Sequence, residues 1–214
     1  MSPPGVNVNL WGPPMWRMLH SLSFLPPSVL QHSATVLIEF IHLLQYLLPC
    51  IHCRRSYVTF LRDMPLTVDV LTNAQFSEWM YELHNKVNRK LNKPVPTYEV
   101  VHKRYFIRPI NVSVEDVVDI VAYLGLNTSE ATQPMFSRLW TLLPPVLDAL
   151  SMHRVGDLVR RARLPDNSDA IVSTAIWIEA SYYENMSLLS SSDRMKTYRV
   201  ATSSQCSSSK SGCA

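Results

Sequence analysis

Apolar residues recur every three to four positions along most of this chain, the spacing of helices that bury one face. Trp16, Leu19, His20 and Ser23 fall at i, i+3, i+4 and i+7, and Pro13-Pro14 are expected to start that helix. A second helix is predicted from Ser28 to Leu48, with Val36, Leu37, Phe40, Ile41, Leu44, Leu47 and Leu48 on a broad apolar face; Pro49 ends it. A third begins at Cys50 and continues through Tyr57, Phe60 and Leu61 until Pro65. A fourth spans Ala74 to Asn92, stopped by Pro94 and Pro96. Ser113-x-x-Asp116 reads as a capping box that opens a fifth helix, closed near Gly125. No alternating strand pattern of any length interrupts this series, and Val95 to Ile110 is expected to be irregular. Further helical segments follow from Asn127 to Leu189, with Trp140 and Trp177 among them, and the serine-rich tail from Ser190 is expected to be disordered.

The expected fold class is therefore all-α, divided into residues 1–126, a helical module of unknown role at 127–189, and a tail at 190–214. With 47% hydrophobic and 17% charged residues, the chain has the material for a core. Five glycines against fifteen prolines sharpen the picture. The glycines are isolated, so neither G-x-G-x-x-G nor G-x-x-x-x-G-K-[ST] is present, and a nucleotide cofactor must be held without a glycine loop.

Charge and targeting change less. A net charge of +3 does not by itself make a nucleic-acid binder. Lys86, Arg89, Lys90, Lys93, Lys103, Arg104 and Arg108 nonetheless cluster against the single acid Glu99, as an anion-facing stretch or a solvated face. The segment MSPPGVNVNL has no basic or apolar region of a secretory signal. The most apolar segment, Ala34 to Pro49, is interrupted by Glu39, His42 and Gln45 and is too short to span a membrane. Neither nucleic acid nor membrane is an expected partner. Cysteines in such a chain point to catalysis or metal rather than to a structural framework.

Cys50-Ile51-His52-Cys53 is a C-x-x-C placed where one helix ends and another starts. A thiol at a helix N-terminus feels the macrodipole and unpaired N–H groups, which favour its thiolate. Half of a zinc site is the rival reading, but no second Cys pair or H-x₃₋₅-H lies nearby. No strand precedes the motif, which excludes a thioredoxin-like context. Downstream, His84, Val87, Asn88 and Leu91 share one helical face. An imidazole, a carboxamide and two aliphatics suit a flat heterocycle with polar edges, with Lys90 and Lys93 near its phosphates; a helix packed with a satisfied His and Asn is the alternative.

Together these pieces resemble the Erv/ALR flavin-linked sulfhydryl oxidases, over about residues 9 to 108. The motifs are Trp11-Gly12-Pro13-Pro14-Met15-Trp16-x-x-Leu19-His20, Leu48-Pro49-Cys50-x-x-Cys53-Arg54-x-x-Tyr57, Phe76-x-x-Trp79 and His84-Asn85-x-Val87-Asn88-x-x-Leu91-x-Lys93-Pro94. The resemblance implies a four-helix bundle plus a short fifth helix, with FAD beside the C-x-x-C, and makes residues 1–126 the FAD-binding oxidase domain. It implies Cys50 and Cys53 as the catalytic pair, with Trp16, His20, Tyr57, His84, Asn85, Val87, Asn88, Leu91, Lys93 and Tyr105 as cofactor contacts and no metal. Trp79 is expected close to the cofactor or in the core. A substrate thiolate is expected to attack Cys50, the more exposed sulfur, and Cys53 to face the flavin; O2 is the final acceptor and H2O2 the product. His52 and Arg54 would add positive potential.

The resemblance also implies protein dithiol substrates and a homodimer. It suggests the cytosol of an infected cell or a virion if the chain is viral, or alternatively the mitochondrial intermembrane space. Two departures stand out. Tyr81 and Tyr98 occupy positions where the family often has a second disulfide, and Pro13 stands where an arginine is common, which leaves one phosphate-side contact in question. Cys206 and Cys213 in the tail form a C-x₆-C that reads either as a mobile shuttle pair or as two incidental thiols. The alternative function is a non-enzymatic helical binding or scaffold protein that keeps the family core.

Overall fold

The computed structural model describes residues 8–107, 111–126, 128–184 and Tyr198. Arg108, Cys206 and Cys213, named above, lie outside the described residues. Within them the fold is all-α, with ten helices. The first part of the chain contributes α1 (Val8–Ser23), α2 (Pro27–Leu47), α3 (Ile51–Asp63), α4 (Val68–Thr72), α5 (Phe76–Lys90) and α6 (Tyr98–His102). Then come α7 (Val114–Gly125), α8 (Gln133–Ala149), α9 (His153–Arg161) and α10 (Ser168–Tyr182).

The long elements follow the apolar periodicity. On α2, Leu30, Ala34, Leu37, Phe40, Ile41, Leu44 and Leu47 are all buried, and each large one stabilises the fold by about 1.5–3 kcal/mol. The α7 capping box forms as expected: Ser113 Oγ accepts from the Asp116 N–H at 3.2 Å, and Asp116 Oδ2 accepts from the Ser113 N–H at 3.2 Å.

Three expectations are corrected. Pro13 and Pro14 do not start α1 but lie inside it, because buried Trp11 and Met15 flank them and core packing carries the helix back to Val8. Of the stretch Val95 to Ile110, only residues 95–97 are irregular among those described. Thr97 Oγ1 caps α6 by accepting from the Val100 N–H, and a wide π-type turn over Lys103–Ile107 follows. The short helix α4 was not anticipated; Thr67 Oγ1 caps it by accepting from the Val70 N–H.

One hydrophobic cluster links the two parts of the chain, running through Trp11, Leu37, Val117, Phe136, Leu139 and Ile171. Helix α8 lies on α2, where Arg138 Nη2 donates to Glu39 Oε2 at 2.7 Å. Helix α10 lies on α7 at Gly125, where an added Cβ would come within 2.3 Å of Ile171 Cγ2. Helix α1 also packs on α7 and is tied to it by the Arg17–Asp116 ion pair. Tyr198, within the serine-rich tail, is buried edge-on to Tyr123 and donates its hydroxyl to Asp119 Oδ1 at 2.7 Å.

Candidate active site

Proline at 49 and the N-cap at 50 set the position of the cysteine pair. Cys50 has extended backbone (φ −124°, ψ 122°), and its Sγ accepts from the Cys53 N–H at 3.3 Å. Arg54 Nη1 donates to the Leu48 carbonyl at 2.8 Å, pinning the linker that delivers Cys50. The structure reverses the expected exposures. Cys50 is only 1% exposed because its side chain turns back over the helix end and joins the core, whereas Cys53, one turn in, is half-buried and lines a cavity.

Both sulfurs are thiols, and their electrostatics differ. Cys50 is pushed down to about 6, chiefly by the hydrogen bond from the Cys53 thiol, then by the N–H groups of Cys53 and His52; burial opposes this. Cys53 is pushed well up by donating to Cys50, by burial and by the Cys50 charge, with Lys90 opposing. Lys90 reaches across from α5 to the first turns of α3, where its Nζ donates to Ser56 Oγ at 2.6 Å.

The cavity has a volume of about 440 Å³, within the usual range for small-molecule sites. The α5 face predicted from spacing, His84, Val87, Asn88 and Leu91, lines it together with Trp16, Tyr57, Lys93 and Tyr105. His20 and Asn85 sit behind that wall. His20 Nε2 lies 2.8 Å from His84 Nδ1, and Asn85 Oδ1 accepts from Asn88 Nδ2 at 3.3 Å. The rings stack: Trp16 on His84 with centroids 3.8 Å apart and planes 6° apart, and Tyr105 on His20 at 4.7 Å and 20°. Tyr57 presents its ring to the cavity while its hydroxyl donates to the Ile41 carbonyl at 3.1 Å. Trp79 belongs to the core, as its Nε1 donates to the Met64 carbonyl at 3.0 Å and it does not line the cavity.

Burial holds His20 down to about 3, with His84 and Arg104 adding to the effect. It holds His84 down to about 4, with help from Lys93 and Arg104, so both rings are neutral at pH 7. Two buried polar atoms among the described residues, His20 Nδ1 and Asn85 Nδ2, have no hydrogen-bond partner, a costly arrangement. Among the described residues, the cations Arg17, Lys90, Lys93 and Arg104 line the cavity and no carboxylate does. Flat ring faces, unmet polar edges and an anion-attracting rim beside a dithiol suit a planar, phosphate-bearing redox cofactor. Among the described residues, no group of three His, Cys, Asp or Glu could hold a metal ion.

Periodicity on α3 could have found two further wall residues, since Ser56 and Phe60 follow Cys53 at i+3 and i+7. Arg17, one turn after Pro13, was also missed.

The model of the Erv1 / Alr family matches residues 13–106. Residues 13–106 are thus similar to the Erv1 / Alr family. The matched region takes in every residue named above for the site. The chain is 28% identical over 112 residues to a protein named FAD-linked sulfhydryl oxidase from African swine fever virus, covering 50% of this chain and 92% of that relative. It is 28% identical over 89 residues to the mitochondrial FAD-linked sulfhydryl oxidase ERV1 of Saccharomyces cerevisiae, covering 41% of this chain and 46% of the relative. A probable FAD-linked sulfhydryl oxidase of Acanthamoeba polyphaga mimivirus is 30% identical over 90 residues, covering 41% and 63%. No solved structure matches the chain.

Proposed function

We propose that this chain is a FAD-dependent thiol oxidase that forms disulfides in protein substrates. The observation that carries the reading is Cys53 on the wall of the same cavity that Trp16, His84, Val87, Asn88 and Leu91 line. Bound there, FAD supplies a two-electron acceptor between the Cys50–Cys53 dithiol and O2, with H2O2 released. The relatives named FAD-linked sulfhydryl oxidases support both cofactor and reaction.

The protein's own part is placement and proton control. The Trp16 and His84 rings are the stacking faces for FAD, and His20 and Asn85, behind the wall, act on it through their hydrogen bonds with His84 and Asn88. Cys53 is the cofactor-facing sulfur, and its proton is held by the hydrogen bond to Cys50 until Cys50 enters a disulfide. When the pair is a disulfide, one substrate thiolate attacks the Cys50 sulfur and Cys53 leaves as the thiolate. The second substrate thiolate then displaces Cys50, a good leaving group because its thiolate is stabilised. The substrate thus gains the disulfide and the pair is left as a dithiol. Because Cys50 is 1% exposed, exchange requires the first turn of α3 and the linker before it to open. Cys206 and Cys213 serve as a shuttle pair that relays electrons to Cys50.

Residues 1–126 form the oxidase domain and 127–189 a helical module that recruits substrate or partner. The enzyme is a homodimer acting in the cytosol of an infected cell or in virions, with the mitochondrial intermembrane space as the other compartment. Among the described residues, no helix is long and apolar enough to cross a membrane.

The deciding experiment is the absorption spectrum of the purified chain together with oxygen uptake and peroxide production on dithiothreitol. A yellow protein whose flavin is released on denaturation, and whose Cys53→Ser variant keeps flavin but loses turnover, is expected. A folded, colourless protein that binds no added FAD would leave only the scaffold reading. Equal turnover of a protein substrate and of dithiothreitol by the Cys206→Ser/Cys213→Ser variant would remove the shuttle.

A further inference from the structure

We infer that Arg17, held in place by Asp116, is the residue that grips the anionic diphosphate of the bound dinucleotide, and that α7 thereby helps set ligand choice. The inference rests on the FAD reading above and concerns which of the chain's cations does this work.

Arg17 follows Pro13 by four residues, so the two share one face of α1, and both line the cavity. The guanidinium is already oriented. Its Nε donates to Asp116 Oδ1 at 3.1 Å and to Oδ2 at 3.0 Å, and its Nη2 bonds Asp116 Oδ1 as well. A guanidinium has five N–H donors in a rigid plane. Asp116 engages the Nε edge, which leaves the Nη1 edge unused by that carboxylate and fixed in direction. Arg17 is 35% exposed on its side chain while Asp116 is 7% exposed, so the cation is reachable and its carboxylate is not.

Asp116 is itself immobilised, because the same carboxylate accepts from the Ser113 N–H and closes the α7 capping box. An arginine whose plane is preset in this way loses little freedom when it takes a second, bidentate oxyanion. The other cations of the wall are arranged differently. Lys90 is drawn to Ser56 and the first turns of α3, at the cysteine end of the cavity, and Lys93 lies beside His84. Arg17 faces Tyr105 instead, placing it at the α1–α7 side with Arg104.

A purely mechanical role is the rival. In that case the ion pair simply ties α1 to α7, and its loss weakens every ligand alike through the fold. Ligands that differ only in phosphate separate the two. The full-length chain, stripped of flavin, is titrated with FAD, FMN, riboflavin and ADP for the wild type and for Arg17→Met, Arg17→Lys and Asp116→Asn, alongside urea unfolding of each.

Arg17→Met is expected to weaken FAD and ADP tenfold or more while riboflavin changes by less than twofold. Arg17→Lys should recover part of the FAD loss, and Asp116→Asn should lower the FAD-to-riboflavin ratio several-fold with the arginine still present. Equal weakening of riboflavin and FAD, or an unchanged FAD affinity in Arg17→Met, overturns the inference. If Arg17→Met does not fold, the same comparison is read from Arg17→Lys. A wild-type chain that binds no FAD overturns the oxidase reading itself, a result distinct from either.

Discussion

His20 Nε2 lies 2.8 Å from His84 Nδ1, so two neutral imidazoles from α1 and α5 share one hydrogen bond at the back of the cavity. Both rings are held far below the ordinary histidine value, at about 3 and about 4. The unfolded chain takes up these protons near pH 6.5, while the folded chain takes them only near pH 4 and below. Their contribution is therefore full above pH 6.5 and is lost as pH falls from 6.5 towards 4 and 3. The slope is at most about 1.4 kcal/mol per pH unit for each ring. Urea midpoints of the flavin-free chain should drop between pH 7.5 and 5, and a His20→Gln/His84→Gln variant should show a flatter profile. Superimposable profiles for the two proteins would count against this pairing.

Lys90 reaches the helix turn that carries Cys53, and its positive charge favours the Cys53 thiolate. In a Cys50→Ser background the suppressing partner is gone, so the effect of Lys90 becomes visible. Iodoacetamide should alkylate Cys53 about three to ten times faster at pH 7.5 with Lys90 than with Lys90→Met, as expected for roughly 1 kcal/mol of Coulomb stabilisation near a surface. Arg at 90 should restore the rate. Mass spectrometry of the Cys53 peptide over time gives the comparison.

Tyr81 and Tyr98 meet edge to face at 5.4 Å, joining α5 to α6 where the related oxidases often have a disulfide. Tyr81 donates to the Pro96 carbonyl at 3.1 Å, and the Tyr98 hydroxyl pairs with Ser77 Oγ at 2.7 Å. A double-mutant cycle with Tyr81→Ala and Tyr98→Ala should give a coupling energy of about 0.5–1.5 kcal/mol. The stability of the wild type should be insensitive to reductant at this junction, because the fastening is not covalent. A coupling energy of zero would mean that the rings only happen to touch.

Gly125 ends α7 against Ile171 of α10, with no room for a methyl group. Gly125→Ala should cost about 1–3 kcal/mol of stability through overpacking, and Ile171→Ala should relieve part of that cost in the double variant. Thermal melts of the four proteins test it. Additive losses would show that the two residues do not compete for the same space.

Legibility followed locality. The Ser113–Asp116 capping box and the shared face of His84, Val87, Asn88 and Leu91 could be read because each depends on spacings within a helix turn or two. Helices α4 and α6 were missed because five residues are too short to display a period. The prolines at 13 and 14 misled because their preference for helix starts was outweighed by the burial of Trp11, a tertiary effect. The depth of Cys50 depends on how its side chain folds back over the helix end into the core, which a C-x-x-C spacing does not encode. The Arg17–Asp116 pair spans 99 residues, and nothing in either neighbourhood announces the other.

The hydrophobic cluster that runs unbroken from Trp11 to Ile178 has one more physical consequence. If the helices that line the cavity and those that do not open together, a ligand bound only by the native chain protects both to the same extent. FAD at one hundred times its dissociation constant adds about 2.7 kcal/mol to global opening. Amides in the middle of α10, which contributes no residue to the cavity wall, should then exchange with deuterium about a hundredfold more slowly, in step with those of α5.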